Sequence, residues 1–394
     1  MHLFINCLAA SSGSGLTYVH NIVPQIAARP ELQATLALPS KLRSGLDSPP
    51  NMSFIEMDIP AGAPGRFCWE QFYLRSVVQA SAADVLISAG NFALRRSPVP
   101  QILLSGNCLY TCPDFYSDLL ARKAYRIWLD TRIRGFFARR SVLWADCTVA
   151  PSQTFAETVQ RWAEGKVVGI HHGFDREIFF EDDAGLPPAI REQIDVGADV
   201  LRLIFVSHYN YYRNFETLLR ALPYMKEQLG ARRVQLILTC KLTEKDSGYY
   251  SAKTARRLIR ELGISGDVVE LGAVPYSVLQ HVIRACHIYV TAAYAETFAH
   301  PLVEAMACGL PIVASDLTVH REICGDAAVY FPRFSPQMMA ERVVELDQSS
   351  ALRKQLSSAA LNRSGDFSWR DHLDQIVLLA QRLKPASFEY AHGA

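Results

Sequence analysis

The stretch Ala295-Glu296-Thr297-Phe298-Ala299-His300-Pro301-Leu302-Val303-Glu304 holds the residue types and spacing with the clearest chemical meaning. Pro301 suits the first turn of a helix, where its missing N–H is not needed. Gly309 suits the cap that ends such a helix, and Pro311 stops its continuation. A loop therefore leads into a short helix with free N–H groups and partial positive charge at its start. A pyrophosphate fits such a place. Glu304, one turn inside, can accept two hydrogen bonds from a ribose diol. Glu296, in the loop before it, can reach the other end of the same ligand.

The elements that position these residues are legible as an alternation. Short apolar, β-branched runs are His2–Ala9, Thr35–Pro39, Ser53–Met57, Val85–Ala89, Gln101–Ser105, Cys147–Ala150 and Val167–Ile170 in the first half. Leu201–Ser207, Val234–Thr239, Val268–Leu271, Ile288–Thr291, Pro311–Ser315 and Ala328–Phe331 follow in the second. Helix-period segments separate them, with Leu16, Val19, Val23 and Ile26 on one face and Phe215, Leu218, Leu219 and Leu222 on another. Strands alternating with helices imply parallel sheets covered on both faces. The pattern is doubled, and 394 residues suit about two domains. The expected α/β division is a first Rossmann-like domain over 1–180, a linker from Phe180 to Ala198, a second such domain over 199–367, and a final helix, 368–394, packed back on the first domain. Ligands bind beyond the carboxyl ends of strands in such folds, so two domains facing each other across a cleft would bring two substrates together.

At this point a resemblance enters. The segment Glu296 to Glu304, with its continuation Ala305-Met306-Ala307-Cys308-Gly309-Leu310-Pro311-Ile312-Val313-Ala314-Ser315, resembles the Glu-x7-Glu signature of the family-4 retaining glycosyltransferases of GT-B fold. The resemblance extends over nearly all the chain and is weakest between Pro60 and Arg140. It implies transfer of a sugar from a nucleotide diphosphate to a glycan or lipid-linked acceptor, with retention at the anomeric carbon, in cell-surface polysaccharide or glycoconjugate synthesis. Ser14-Gly15 is similar to the family's glycine-rich first loop. His172-Gly173-Phe174-Asp175 with Phe179 resembles the stretch closing its first domain. Leu271-Gly272-Ala273-Val274-Pro275 resembles the loop at the base, placing Val274 there. Phe367-Ser368-Trp369 resembles the start of the returning helix.

The pattern also departs. Where the family places Arg and then Lys on the donor pyrophosphate, this chain has His208 and Arg213. Arg213 keeps a fixed charge that can fork onto phosphate, whereas His208 is only partly charged near neutrality. Where relatives carry a histidine beside the reacting sugar, the match is Ser105-Gly106-Asn107, and Asn107 can hydrogen-bond but cannot serve as acid or base. Ala299 stands where glycine is usual, although its backbone N–H survives. The expected donor site is thus Gly15, His208, Arg213, Val274, Glu296, Thr297, Phe298, Ala299, His300 and Glu304, with Glu296, Arg213 and Asn107 nearest the chemistry. No Asp-x-Asp cluster accompanies them, so neither metal nor cofactor is expected. The alternatives are a nucleotide-sugar-binding protein without turnover and an NAD-dependent oxidoreductase. The latter is disfavoured because Gly13-Ser14-Gly15-Leu16-Thr17-Tyr18 lacks Gly-x-Gly-x-x-Gly.

Composition bounds the rest. Hydrophobic residues make up 49% and charged residues 20%, as in ordinary globular chains, and the net charge of +1 gives no global attraction to nucleic acid. Nine scattered cysteines, with Cys108 and Cys112 lacking a second pair at zinc spacing, suit a reduced, cytoplasmic protein. No run approaches the ~20 apolar residues of a membrane-spanning helix. The stretch 121–140 mixes Arg122, Lys123, Arg126, Arg132, Arg134, Arg139 and Arg140 with Tyr125, Trp128, Phe136 and Phe137. Two readings stay open here: an interfacial surface touching the inner face of a membrane, or a solvated helix whose aromatics pack into the first domain.

Overall fold

A computed structural model describes residues 1–10, 14–57, 59, 62–175, 179, 185–242 and 250–384. The chain forms two compact units. The first comprises Met1–Thr111, Arg132–Gly173 and the stretch from Ser368; the second comprises Cys112–Thr131 and Phe174–Phe367.

The first unit is built on a seven-stranded sheet of order β3-β2-β1-β4-β5-β6-β7. Its strands are β1 (His2–Asn6), β2 (Gln33–Leu38), β3 (Met52–Glu56), β4 (Val85–Ser88), β5 (Gln101–Leu104), β6 (Cys147–Ala150) and β7 (Val167–Gly169). All pairings are parallel, with Phe4 set between Thr35 and Leu86. The central strands are buried on both faces, which is why they read as continuous apolar runs. The helix Ser14–Ala27 lays Val19, Ile22, Val23 and Ile26 on this sheet; Leu16 packs at the margin of that core. The closing helix Trp369–Leu383 adds Trp369, Leu373, Ile376 and Ala380 to the same core. Ser368 caps it by accepting from Asp371 N–H. Residues beyond 384 lie outside those described.

The second unit repeats the plan with six parallel strands of order β10-β9-β8-β11-β12-β13. They are β8 (Val200–Phe205), β9 (Arg233–Leu238), β10 (Val268–Glu270), β11 (Ile288–Thr291), β12 (Ile312–Ser315) and β13 (Ala328–Phe331). The helix Phe215–Leu229 buries Phe215, Leu218, Leu219 and Leu222 as its periodicity predicts, and ends on Gly230. Strand order reverses between β1 and β4 in one unit and between β8 and β11 in the other. These are the switch points beyond whose carboxyl ends open α/β sheets bind ligands.

Two parts of the expected division differ. Residues 112–131 group with the second unit, although the first domain was expected to run over 1–180. Polar contacts explain this. Arg333 donates twice to Asp114, at 2.9 and 2.5 Å, Arg122 donates to Glu216 at 3.0 Å, and the Tyr294 hydroxyl donates to Asp118 at 2.8 Å. These residues are far apart in sequence, so no local pattern announces them. Of the expected linker, 180–184 lie outside the described residues. Ile194 is buried in the second core and Ile190 packs against it, so that part is not a free tether.

Gly173 is the last residue before the chain leaves the first unit, and Ser368 is the first on its return. A Cβ on Gly173 would overlap the backbone of Ser368 and Trp369. Backbone there cannot give way as a flexible side chain could. Gly173→Ala should lower stability by about 2–4 kcal/mol, in the range of overpacked buried sites. A denaturant midpoint equal to wild type would refute this.

Candidate functional site

The loop after β11 and the helix His300–Ala307 form the core of the site. Pro301 stands in the first helical turn and Gly309, at φ 66°, follows the last one. Ala299 enters the helix at φ 66° and ψ 64°, a left-handed conformation that disfavours any Cβ. Here the substitution of Ala for the usual glycine leaves a strained residue at the point where backbone turns toward the strand rim. Phe298 beside it is fully buried, and its ring meets that of His300 at 4.9 Å. Burial lowers the His300 imidazole to about 4, so it is neutral at ordinary pH.

Arg213 arrives from the other side of the switch point. It ends the short turn Tyr211–Arg213 after β8, and the next residue, Asn214, is left-handed at φ 54°. The Asn214 amide donates to Ala292 O at 3.0 Å and to Arg333 O at 2.8 Å. Tyr294 N–H donates to Tyr212 O at 3.0 Å. These bonds tie the β8 and β11 loops together. With the loops so fixed, Arg213 Nη1 donates to Glu296 Oε2 in an ion pair. Glu296 Oε1 also accepts Thr297 N–H at 2.9 Å. Burial opposes ionisation of Glu296, but the Arg213 guanidinium and the Thr297 N–H outweigh it and hold the carboxyl below its usual range. Burial likewise opposes the charge on Arg213, and Glu296 more than restores it. The buried Arg213 Nε makes no hydrogen bond among the described residues.

Glu304 has a different environment. It is almost fully buried, one turn into the helix, and burial raises its carboxyl to about 7. The Tyr276 hydroxyl, at the start of the helix Tyr276–Arg284, is its hydrogen-bonding partner and only partly offsets that rise. Val274, two residues earlier, packs half-buried against the second core. His208 is exposed after β8; its carbonyl accepts from Ser207 and Asn210, and its ring has no hydrogen bond among the described residues.

The remaining two expected residues lie in the first unit, at a cavity of about 420 Å³ beyond the carboxyl ends of its strands. Cys7, Ala89, Ser105 and Pro151, which follow β1, β4, β5 and β6, border it. Gly15 closes one side, and a Cβ there would come within 3.1 Å of Ala10 Cα. Asn107 lines the cavity while its Oδ1 accepts Leu109 N–H at 3.0 Å, which leaves the amide NH2 as the group able to face a ligand. Ser11–Gly13 lie outside the described residues. Tyr276, Asn214, Tyr18, Arg66 and Asn91 escaped sequence reasoning, because nothing in their local context marks them. Arg134 was visible only as one charge in a basic stretch.

Residues 188–363 match the family model described as glycosyl transferases group 1. That match lies within the second unit, which is thus the part of the chain similar to the group 1 glycosyl transferases. The chain is 30% identical over 151 residues to D-inositol 3-phosphate glycosyltransferase 2 of Catenulispora acidiphila, which is 38% of this chain and 35% of that one. It therefore spans about a third of that relative's length. Among solved structures, a glycosyltransferase from Rickettsia africae superposes with TM-score 0.73 at 15% identity, over 98% of this chain and 99% of that one. Anabaena HepE in complex with UDP-glucose gives 0.70 at 17% identity, over 97% and 100%. The fold of the chain is thereby GT-B, as its two Rossmann-like sheets lead one to expect.

The two glutamates of the second unit's site are thus held in opposite protonation regimes. Between about 4.5 and 7 the unfolded chain loses the Glu304 proton while the folded chain keeps it. Stability falls as pH rises through that window. Glu304→Gln, which cannot ionise, should therefore match wild type near pH 4 and exceed it by about 1–3 kcal/mol at pH 8. Parallel denaturation curves at both pH values test it; a variant less stable than wild type at pH 8 would overturn the assignment.

Proposed function

We propose that the protein is a retaining glycosyltransferase that moves a sugar from a nucleotide diphosphate to a hydroxyl of a glycan or lipid-linked acceptor, in cell-surface polysaccharide or glycoconjugate synthesis. The observation that carries this reading is the Arg213–Glu296 pair at the mouth of a helix that holds Glu304 one turn inside. The spacing offers a cation and N–H groups to the pyrophosphate, with a carboxyl at each end of the ligand.

In this reading the Glu304 carboxylate accepts the ribose hydroxyls, and binding draws off the proton it holds in the free protein. The incoming phosphate shares Arg213 with Glu296, and Glu296, partly released, accepts from sugar hydroxyls. His208 and the N–H groups at Thr297, Phe298, Ala299 and His300 complete the phosphate cradle, while Gly15 allows close approach and Val274 meets the base. As the bond from anomeric carbon to phosphate oxygen breaks, negative charge grows on the leaving phosphate and positive charge on the ring. Fixed donors stabilise the first without reorganising. The acceptor oxygen attacks from the same face, Asn107 orients a hydroxyl, and the acceptor proton passes to the departing phosphate. The reading needs no metal.

Screening nucleotide sugars for release of nucleoside diphosphate tests it directly, with EDTA present throughout. A protein that binds a donor and releases nothing would be a nucleotide-sugar-binding module instead. An inverted product would end the retaining assignment. Arg213→Ala should slow turnover by about 2–4 kcal/mol of barrier, and unchanged turnover would refute its role.

A specific observation also favours contact with a lipid surface. The helix Tyr125–Trp144 exposes Tyr125, Leu129, Ile133, Phe136 and Leu143 along one stripe, each at least 43% accessible. Exposed Arg126, Arg132, Arg139 and Arg140 flank them, whereas Trp128 and Phe137 pack against Tyr116 and Phe67. Among the described residues no helix is long and apolar enough to cross a membrane. We therefore propose peripheral docking at a cytoplasmic membrane face. The protein should float with anionic vesicles at low salt and lose that behaviour in Phe136→Ser; absence of co-migration would end this reading.

A further inference from the structure

The segment Cys112–Thr131 belongs to the second unit, although the residues on either side of it, up to Thr111 and from Arg132, belong to the first. Its helix Pro113–Ala121 places Asp114 and Asp118 four residues apart, and Arg122, just past the last turn, comes four further on. One face thus carries two carboxylates and a guanidinium in a row. Each finds a partner distant in sequence. Asp114 accepts from Arg333, Asp118 accepts from the Tyr294 hydroxyl at 2.8 Å, and Arg122 donates to Glu216 at 3.0 Å as well as to Asp118 at 2.8 Å. The Arg122 guanidinium also lies 4.2 Å from the centre of the Tyr211 ring. Burial opposes its charge, and Glu216 and Asp118 more than restore it.

These partners are not scattered over the second unit. Tyr211 opens the short turn that ends at Arg213, and Glu216 stands in the first turn of the helix that follows it. Tyr294 lies two residues before Glu296, and its N–H donates to Tyr212 O. Arg333 supplies one of the two carbonyls that hold Asn214. Phe115, fully buried in the same segment, meets the Tyr212 ring edge-on at 6.2 Å, and the Arg213 guanidinium lies 5.3 Å from that ring's centre. Both loops that deliver the Arg213–Glu296 pair are therefore clamped by one segment. Such a clamp orders the cation before a ligand arrives, so that binding does not bear the cost of ordering it.

We propose that Arg122 is a positioning residue for the anion site of the second unit. Acting through Tyr211 and Glu216, with Asp118 and Tyr294 as its link to the β11 loop, it fixes the aim of Arg213. Loss of its guanidinium unties the β8 loop from this network and leaves the Asn214 amide and the Tyr294 N–H to hold the two loops together. That the anion is the diphosphate of a sugar donor rests on the transferase reading, whereas the fixing of the two loops does not.

Amide hydrogen exchange of the full chain, read by mass spectrometry, and calorimetric titration with inorganic pyrophosphate test this together. In Arg122→Gln, peptides covering 208–216 and 292–299 should exchange about tenfold or more faster, while those covering β9 and the sheet of the first unit keep wild-type rates. Pyrophosphate affinity should fall about tenfold. In an Arg213→Lys background, which keeps a cation but loses the planar fork, the same change should cost little further affinity, because the aim it fixes is already lost. Additive losses would mark a merely structural role and overturn the proposal, as would unchanged exchange in the two loops or an affinity that survives Arg122→Gln. Should Arg122→Gln fail to fold, Tyr294→Phe, which removes only the hydrogen bond to Asp118, should speed the same two peptides; unchanged rates there overturn the proposal equally. If wild type binds no pyrophosphate while the loops loosen as expected, the transferase reading falls and the fixing of the loops by Arg122 stands.

Discussion

The ion pair between Arg213 and Glu296 is the interaction on which the second unit's site depends. Both groups are largely removed from water, and each offsets the cost of burying the other's charge. Their meeting requires the β8 loop and the β11 loop to hold a fixed separation, which Asn214 enforces through two carbonyls. The left-handed turns at Asn214 and Ala299 are the backbone cost of that arrangement, set on either side of the pair. Arg213 is thereby held charged and aimed before any ligand arrives.

The same helix keeps its second glutamate in the opposite condition. Among the described residues Glu304 has a tyrosine hydroxyl for company and no cation, so burial dominates and its proton stays on to about neutrality. Two chemically identical side chains, eight positions apart, differ because one faces a guanidinium and the other does not. On the proposed reading this is useful. One carboxylate is compensated and waits, while the other gains its compensation only from the ribose it binds.

The first unit uses the same part of its sheet. Its cavity lies where strand order reverses between β1 and β4, and close backbone approach at Gly15 shapes one wall. Arg66 borders it, and the buried carboxyl of Glu70 sits behind that guanidinium. Each unit thus uses the carboxyl rim of a parallel sheet and differs in the side chains its loops deliver there. That is the expected division between a scaffold and the sites grafted on it.

The sequence by itself determined the strands. Every run named from its apolar, β-branched character is a strand, with ends displaced by up to three residues, as at Ala9 against Asn6. It also determined the helix from Pro301 and its glycine stop, because caps and periodicity are local properties that a short window contains. What only the tertiary structure decided is which side chains meet: Arg213 with Glu296 across 83 positions, Tyr276 with Glu304, Arg66 and Arg134 on one cavity, and residues 112–131 with the second unit. Burial and partnership set the charge each group carries, and both arise from chain segments that no local window joins.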